Sequence, residues 1–300
     1  MQKKKIIVIG SSNTDMVVKS ARLPLPGETI MGGEFLMNAG GKGANQAVAA
    51  ARLGGDVTLV AKVGADIFGT QSIDGFKKEG IHTEYVFVDD NSPSGTALIM
   101  VNQEGENCIV VAPGANASLL PADIENVRIL NEAEVILMQL EIPLETIEAV
   151  VRKAREHKQK IIINPAPAQP LSDQLLNGLY LITPNETEAE LLTGIAVFDM
   201  ATASQAADYF LVKGVQQVVI TMGKHGAYFK NADMEFMTGA PIVKAMDTTA
   251  AGDTFSGALT VAITEGMSWK EAVQFAVNAA SISVTRMGAQ ASVPYRTEMS

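Results

Sequence analysis

Cysteine is nearly absent from this chain: Cys108 is the single one in 300 residues. An internal disulfide is excluded, and the composition fits a reducing compartment, so a cytoplasmic location is expected. Histidine is scarce as well. His82, His157 and His225 lie far apart, with no spacing that would ligate zinc. Basic charge is in deficit: 23 Lys and Arg against 33 Asp and Glu leave a net charge of −10 and a pI near 4.9. No basic stripe stands out, so nucleic acid is not expected as a partner. Long apolar runs are missing too. Ile6-Ile7-Val8-Ile9 is too short for a signal peptide, and nothing approaches the roughly 18 apolar residues of a membrane span. No membrane partner is expected, and there is neither an internal repeat nor a low-complexity linker.

What is present is a core-forming composition, 47% apolar, in a length that allows one large α/β domain. The continuous apolar run Lys5 to Ile9 reads as a strand covered on both faces. Strands are expected at Val57–Val63, Val135–Leu140, Ile161–Asn164, Leu179–Thr183 and Val218–Thr221. Helices are expected from Gly40 to about Leu53 and at Phe68–Glu79, Leu144–Glu156, Glu186–Leu192 and Ala203–Val212. Apolar strands alternating with helices imply a mostly parallel sheet with right-handed crossovers. Short extended pieces at Thr29–Met31, Glu34–Met37, Tyr85–Val88, Ala97–Val101 and Cys108–Val111 break that alternation. They predict a small separate sheet, built from about 12–40 and 85–112 and inserted in the N-terminal half of one domain spanning 1–300.

The chain is organised around Asp247-Thr248-Thr249-Ala250-Ala251-Gly252-Asp253-Thr254-Phe255. Phe255, Ala258, Leu259, Ala262 and Ile263 recur on one face of a helix. Ala250, Ala251 and Gly252 leave the first N–H groups of that helix bare, which makes a natural anion site. Asp253 sits in the same turn. An acid there simply complements the helix dipole, or it faces an attacking hydroxyl at a phosphoryl-transfer site.

Other polar loops follow strand ends, where open α/β sheets place ligands. Ser11-Ser12-Asn13-Thr14-Asp15 is a turn-rich loop whose Asn13 and Asp15 could hold the hydroxyls of a polyol. Gly40-Gly41-Lys42-Gly43-Ala44-Asn45-Gln46 opens a helix. It is not a P-loop, because the pattern fails on both sides of Lys42. It is not a dinucleotide fingerprint, because Gln46 stands where Gly or Ala is required. Its glycines let a ligand approach the backbone. Glu141 puts a carboxylate after a strand. Asn185 and Glu188 have the spacing of a capping box. Thr221-Met222-Gly223-Lys224-His225-Gly226 is a glycine turn that could hold a nucleotide or reverse the chain.

Together these loops resemble the signatures of the ribokinase, or PfkB-type, family of sugar kinases. The resemblance rests on Gly40–Gln46, Asp247–Phe255 and the N-x-x-E motif Asn185-Glu186-Thr187-Glu188. It runs from Ile6 to about Pro294, with Gly41–Ala50 and Asn164–Ala168 adding to it. It implies a Rossmann-like three-layer α/β domain with a β-sheet lid, and ATP-dependent phosphorylation of D-ribose at its 5-hydroxyl. Asn13, Thr14, Asp15, Gly41, Lys42, Gly43, Ala44, Asn45 and Glu141 would contact the sugar. Asp253 would be the base, with Ala250, Ala251 and Gly252 as the anion hole. Asn185, Thr221 to Gly226 (Met222, Gly223, Lys224 and His225 between them) and Gly252 would contact ATP. Asn185 and Glu188 would arrange Mg²⁺ through water. A potassium site would use Asp247, Thr249, Ser283, Arg286, Gly288 and Ser292, several through backbone carbonyls. The family often has Asn or His beside adenine at the position of Val277; here the Asn comes one later, at Asn278. The resemblance further implies homodimers through the lid sheet.

Rival readings share these residues. The substrate could be 2-deoxyribose, fructose or a nucleoside, or the chain could be a non-catalytic sugar sensor. A sensor needs no base, which counts against it. A dehydrogenase is disfavoured by the failed fingerprint.

Overall fold

The computed structural model describes residues 4–104 and 106–299. In chain order its strands and helices are β1 (Lys5–Ile9), β2 (Asn13–Lys19), β3 (Glu34–Gly40), α1 (Lys42–Arg52), β4 (Asp56–Gly64), α2 (Ile67–Lys78), β5 (His82–Asp89), β6 (Gly95–Val101), β7 (Asn107–Ala112) and α3 (Pro121–Glu125). There follow β8 (Val135–Met138), α4 (Leu144–Glu156), β9 (Lys160–Ile163), α5 (Asp173–Leu176), β10 (Leu181–Ile182), α6 (Glu186–Thr193) and α7 (Met200–Val212). The chain closes with β11 (Gln217–Thr221), β12 (Ala227–Asn231), β13 (Glu235–Thr238), α8 (Ala251–Glu265) and α9 (Trp269–Ser283).

Among the described residues, nine strands form one sheet in the order β13-β12-β11-β10-β9-β8-β1-β4-β5. It is parallel from β11 to β5, and β12 and β13 add an antiparallel edge. Successive residues of the apolar strands feed opposite cores, as the two-residue period requires. Ile7 and Ile9 pack with Ile136, Ile147, Val150 and Phe210 on the α4–α7 side. Ile6 and Val8 pack with Val135, Ala47, Phe255, Ala258 and Ala276 on the side of α1, α8 and α9. The result is a three-layer α/β architecture. No helix among the described residues is long and apolar enough to cross a membrane.

The chain starts at β1, runs outward through β4 and β5, then returns to place β8 on β1's other side. The reversal lies between β1 and β8. The carboxyl ends of these strands form the crevice where open sheets bind ligands.

Among the described residues, the second sheet has four strands in the order β3-β2-β6-β7, and its composition corrects the expected one in three places. Tyr85–Val88 lies in β5, which pairs with β4 as the edge of the large sheet. At the sheet edge this short apolar run is only partly covered: Tyr85 and Phe87 pack toward one core, Val86 toward the other, and Val88 is exposed, so by composition it looks like a strand of the small sheet. Asn13, Thr14 and Asp15 are not a loop: they begin β2, paired with Gly40, Ala39 and Asn38 of β3. Thr29–Met31 forms no strand. The hairpin of β12 and β13 and the helix α9 were not expected from the sequence.

Candidate active site

Asp253 stands in the first turn of α8 and is 5% exposed. Helix α8 has no side-chain cap; its N-cap residue is Ala250, in the left-handed region at φ 58°. The first N–H groups of a helix have no intrahelical acceptor. The Ala251 N–H is taken by Thr248 O at 3.2 Å. Beyond the position where a Cβ on Gly252 would stand, no atom lies within 4 Å. This is open space in front of a bare, positive helix end. Holding an alanine at positive φ costs on the order of 1 kcal/mol, a strain of the kind found at functional sites.

Both carboxylate oxygens of Asp253 accept amide hydrogens from α1. Asn45 Nδ2 donates to Oδ2 and Gln46 Nε2 to Oδ1, each at 2.9 Å. Helix α1 comes this close to the strand ends because it begins with glycine. A Cβ on Gly43 would lie 2.5 Å from Gly10 C and Ser11 N, both backbone atoms. The same approach gives Glu141 its partners: Ser11 Oγ donates to it at 2.5 Å and the Lys42 N–H at 2.9 Å.

A cavity of about 190 Å³ opens beside Asp253, walled by Lys42, Asn185, Glu188, Thr221, Thr248 and the Ala250–Gly252 turn. Among the described residues, Lys42 is its one lysine or arginine, facing several acids. The charge on Asp253 raises the Lys42 pKa most, against the opposing effect of burial, and Glu141 and Glu188 add to it. Burial pushes the Asp15 carboxyl up to about 6, helped by Glu141 and Asp253. Burial also raises Glu188. The crevice therefore holds a surplus of acid, which a cation or a cationic complex would balance.

Asn185 and Glu188 form the capping box their spacing allowed: Glu188 N–H donates to Asn185 Oδ1 at 2.8 Å, and Asn185 N–H to Glu188 Oε2 at 2.9 Å. The cap does not exclude a second task, since both residues also wall the cavity. Thr221 joins them, bridged to Asn185 and lining the same space.

Some expected residues point elsewhere. Ala44 is fully buried in the α1–α8 core, and Met222 is buried on the opposite side of the sheet, so neither offers a side chain to a ligand. Gly223, Lys224 and His225 make a short turn that reverses the chain from β11 to β12, closed by Met222 N–H to Gly226 O at 2.7 Å. Val277 is buried in the core. Its neighbour Asn278 instead lines another cavity, of about 300 Å³, with Pro241, Val243 and Ile282. Asn13 and Thr14 are buried at the start of β2, and Asp15 lies over Gly40.

Of the residues expected at a potassium site, Asp247 joins two segments. Its Oδ1 accepts from Thr249 N–H and its Oδ2 from Gly288 N–H, each at 2.9 Å. Ser283 and Ser292 spend their hydroxyls on the carbonyls of Ala280 and Ala289. The Arg286 guanidinium turns to Glu298 at 2.5 Å. As donors, these hydroxyls keep their oxygen lone pairs, so they and the backbone carbonyls of these segments are the groups left to face a cation.

Several contributing residues had no assigned role in the sequence reading: Ser11, Gln46, Asn116, Gln139 and Asn164. Gln46 and Asn164 lie inside motifs already singled out. Asn116 carries no sequence signal at all.

The model of the pfkB family carbohydrate kinases matches residues 3–296. The chain belongs to the pfkB family. It is 42% identical to the ribokinase of Haemophilus influenzae, over 99% of this chain and 97% of that one. It is 38% identical to a deoxyribokinase of Salmonella typhi, over 96% and 95%. The structure of Arabidopsis thaliana ribokinase complexed with ribose and ATP superposes with a TM-score of 0.92 at 33% identity, covering 100% of this chain and 98% of that one.

Proposed function

We propose that this pfkB-family kinase transfers the terminal phosphoryl group of ATP to the 5-hydroxyl of D-ribose, giving D-ribose 5-phosphate and ADP. The carrying observation is Asp253, an acid fixed by two amides in the first turn of an uncapped helix that opens on a cavity. The ribokinase relatives favour ribose; the deoxyribokinase relative keeps 2-deoxyribose as the competing substrate.

The sugar lies between the small sheet and the crevice, held by Asn13, Asp15, Lys42, Asn45, Glu141 and the backbone of Gly41 and Gly43. The phosphate chain reaches the start of α8 past Asn185 and Thr221. The base occupies the cavity beside Asn278, with the Gly223–Gly226 turn along the nucleotide. A bond forms from the sugar oxygen to the γ-phosphorus, and the bond from phosphorus to the bridging oxygen of ADP breaks. The hydroxyl proton passes to Asp253. Phosphoryl transfer asks for positioning and charge stabilisation above all. Of the Ala250–Gly252 segment expected as the anion hole, the Ala251 N–H is taken by Thr248 O, so the N–H groups of Gly252 and Asp253, with the ammonium of Lys42, supply it around the moving group.

The donor set also fits the metals. Glu188 spends Oε2 on the Asn185 N–H, and its Oε1 accepts no hydrogen bond among the described residues. Asn185 and Glu188 would hold Mg²⁺ through water, and the ion would neutralise phosphate charge. The carbonyls near Asp247, Thr249, Ser283, Arg286, Gly288 and Ser292 would hold a potassium ion that braces the turn before α8. The outer face of the small sheet would pair with a second copy. The acidic chain and its lone cysteine suit a cytoplasmic enzyme.

The test is ATP consumption by the purified chain with D-ribose, 2-deoxyribose, fructose, adenosine or no sugar, with Mg²⁺ and with potassium present or replaced. ADP formed fastest with ribose, and faster with potassium, is the expected result. Turnover confined to another sugar would move the substrate. Absence of turnover, with ribose still raising Tm, would make the chain a sensor.

A further inference from the structure

Behind Asp253 a chain of amides runs along the carboxyl ends of three adjacent strands. Gln139, just after β8, donates from Nε2 to Gln46 Oε1 at 2.6 Å. Gln46 Nε2 donates both to Asp253 Oδ1 and to Asn164 Oδ1, each at 2.9 Å. Asn164, just after β9, donates from Nδ2 to the carbonyl of Thr183, after β10, at 2.9 Å. Gln46 and Gln139 are fully buried.

The direction of the chain is set at its end. An ionised carboxylate only accepts hydrogen bonds, so Gln46 must turn its NH₂ to Asp253. Its oxygen then faces Gln139, which must in turn donate. Asn164 has its NH₂ occupied by Thr183 and can only accept from Gln46. Each amide thus has one orientation that fits.

We propose that Gln46 is a positioning residue for phosphoryl transfer: it fixes Asp253 Oδ1 as an acceptor, with the carboxylate's remaining lone pairs toward the substrate hydroxyl, and Gln139 and Asn164 lock Gln46. This rests on the proposed role of Asp253 as base. The arrangement is that of a reacting group, its base and the group that orients the base. The charged groups facing Asp253 from other elements are Lys42 on α1, Asp15 on β2 and Glu188 on α6, with Glu141 after β8 acting on Asp15 and Lys42 beside it. None of them hydrogen-bonds its carboxylate; Gln46 and Asn45 do.

The experiment uses the full chain with ATP, Mg²⁺ and D-ribose, and compares Gln46→Glu with Asp253→Asn and the parent. Gln46→Glu keeps the shape but sets a second carboxyl against Asp253. Expected are KM values for both substrates within about threefold of the parent, kcat lowered by about 10- to 100-fold at pH 7, and the acid limb of the kcat profile moved up by about one pH unit or more. An unmoved acid limb with parent-like kcat, while Asp253→Asn is inactive, would overturn the positioning role alone. Parent-like turnover by Asp253→Asn would overturn the reading of Asp253 as base and the proposal with it. Should Gln46→Glu not fold, Gln139→Met removes only the donor that fixes Gln46. It is expected to lower kcat severalfold at unchanged KM and to move the acid limb the same way, and a parent-like profile would again overturn the proposal.

Discussion

The side-chain nitrogen of Asn116 lies 2.8 Å from the side-chain oxygen of Asn13. Asn116 follows the last strand of the small sheet, and Asn13 begins its first. The same amide also donates to Ser12 O at 3.1 Å and accepts from Ser12 N–H at 2.9 Å. Asn13 is thereby oriented with its oxygen toward Asn116 and its NH₂ turned away, available to a ligand. Asn116→Ala is expected to raise KM for the sugar about tenfold, the scale of a lost buried hydrogen bond, and to leave KM for ATP unchanged. Steady-state kinetics with each substrate varied in turn check this; a rise confined to ATP would detach Asn13 from the sugar.

Asp253→Asn is expected to lower kcat by about 10²–10⁴-fold with little change in either KM. The substitution keeps size and shape. It removes the proton acceptor and sets an NH₂ against a donor from Asn45 or Gln46. Turnover and thermal melting of the same preparation separate lost chemistry from lost fold.

Much of this arrangement could be read along the chain. The two glycine-bearing loops and the N-x-x-E motif are contiguous, and each does its work within one turn of helix. The alternating strands foretold the parallel sheet because burial on both faces leaves unbroken apolar runs. What stayed hidden is long-range. Asn116 sits 103 positions from Asn13, and Gln139 sits 93 from Gln46; no local pattern links such pairs. Val88 and Ile99 both lie in short apolar runs, yet one joins the large sheet and the other the small one. Only pairing partners separate them. Ala44 and Met222 show the converse case: they lie inside the motifs, but the helix face and strand end they occupy turn their side chains into the core and leave only backbone for a ligand.

Gly43→Ala tests whether the close approach of α1 to the first strand end is required. The added methyl would lie 2.5 Å from backbone atoms of Gly10 and Ser11, and backbone there cannot move without shifting Glu141 and Asn45. A loss of about 1–3 kcal/mol is expected from overpacking, with sugar binding falling further than stability alone explains. Chemical denaturation and calorimetric titration with ribose report the two effects separately.

The outer face of the small sheet bears on assembly. Phe35, Leu98 and Val110 are 60%, 55% and 67% exposed. Met16 pairs with both Met37 and Leu98, and Leu98 with Val110, so these side chains share a face. Asp15 and Asn38 are on the other. A contiguous apolar patch of this kind marks an interaction surface. Sedimentation at micromolar concentration is expected to give a dimer mass, and the double variant Phe35→Glu, Leu98→Glu a monomer. A monomeric parent would refute pairing through this face.

Asp15 makes stability itself depend on pH. Burial, then the charges of Glu141 and Asp253, raise its pKa from 3.8 to about 6 in the folded chain. Folding therefore costs nothing at this residue below pH 3.8, where it is protonated in both states. Between that value and about 6 the unfolded chain releases the proton while the folded chain retains it, so stability falls as pH rises. Above pH 6 the penalty is constant, at most about 3 kcal/mol. Asp15→Asn carries no such penalty. The variant is expected to match the parent near pH 4 and to exceed it increasingly up to pH 6, while binding ribose poorly. Glu188, also raised by burial, titrates in both proteins and cancels from the difference. Urea denaturation at pH 4, 5, 6 and 7 checks this: parallel stability curves for the two proteins would mean that Asp15 is solvated well enough to ionise at no cost.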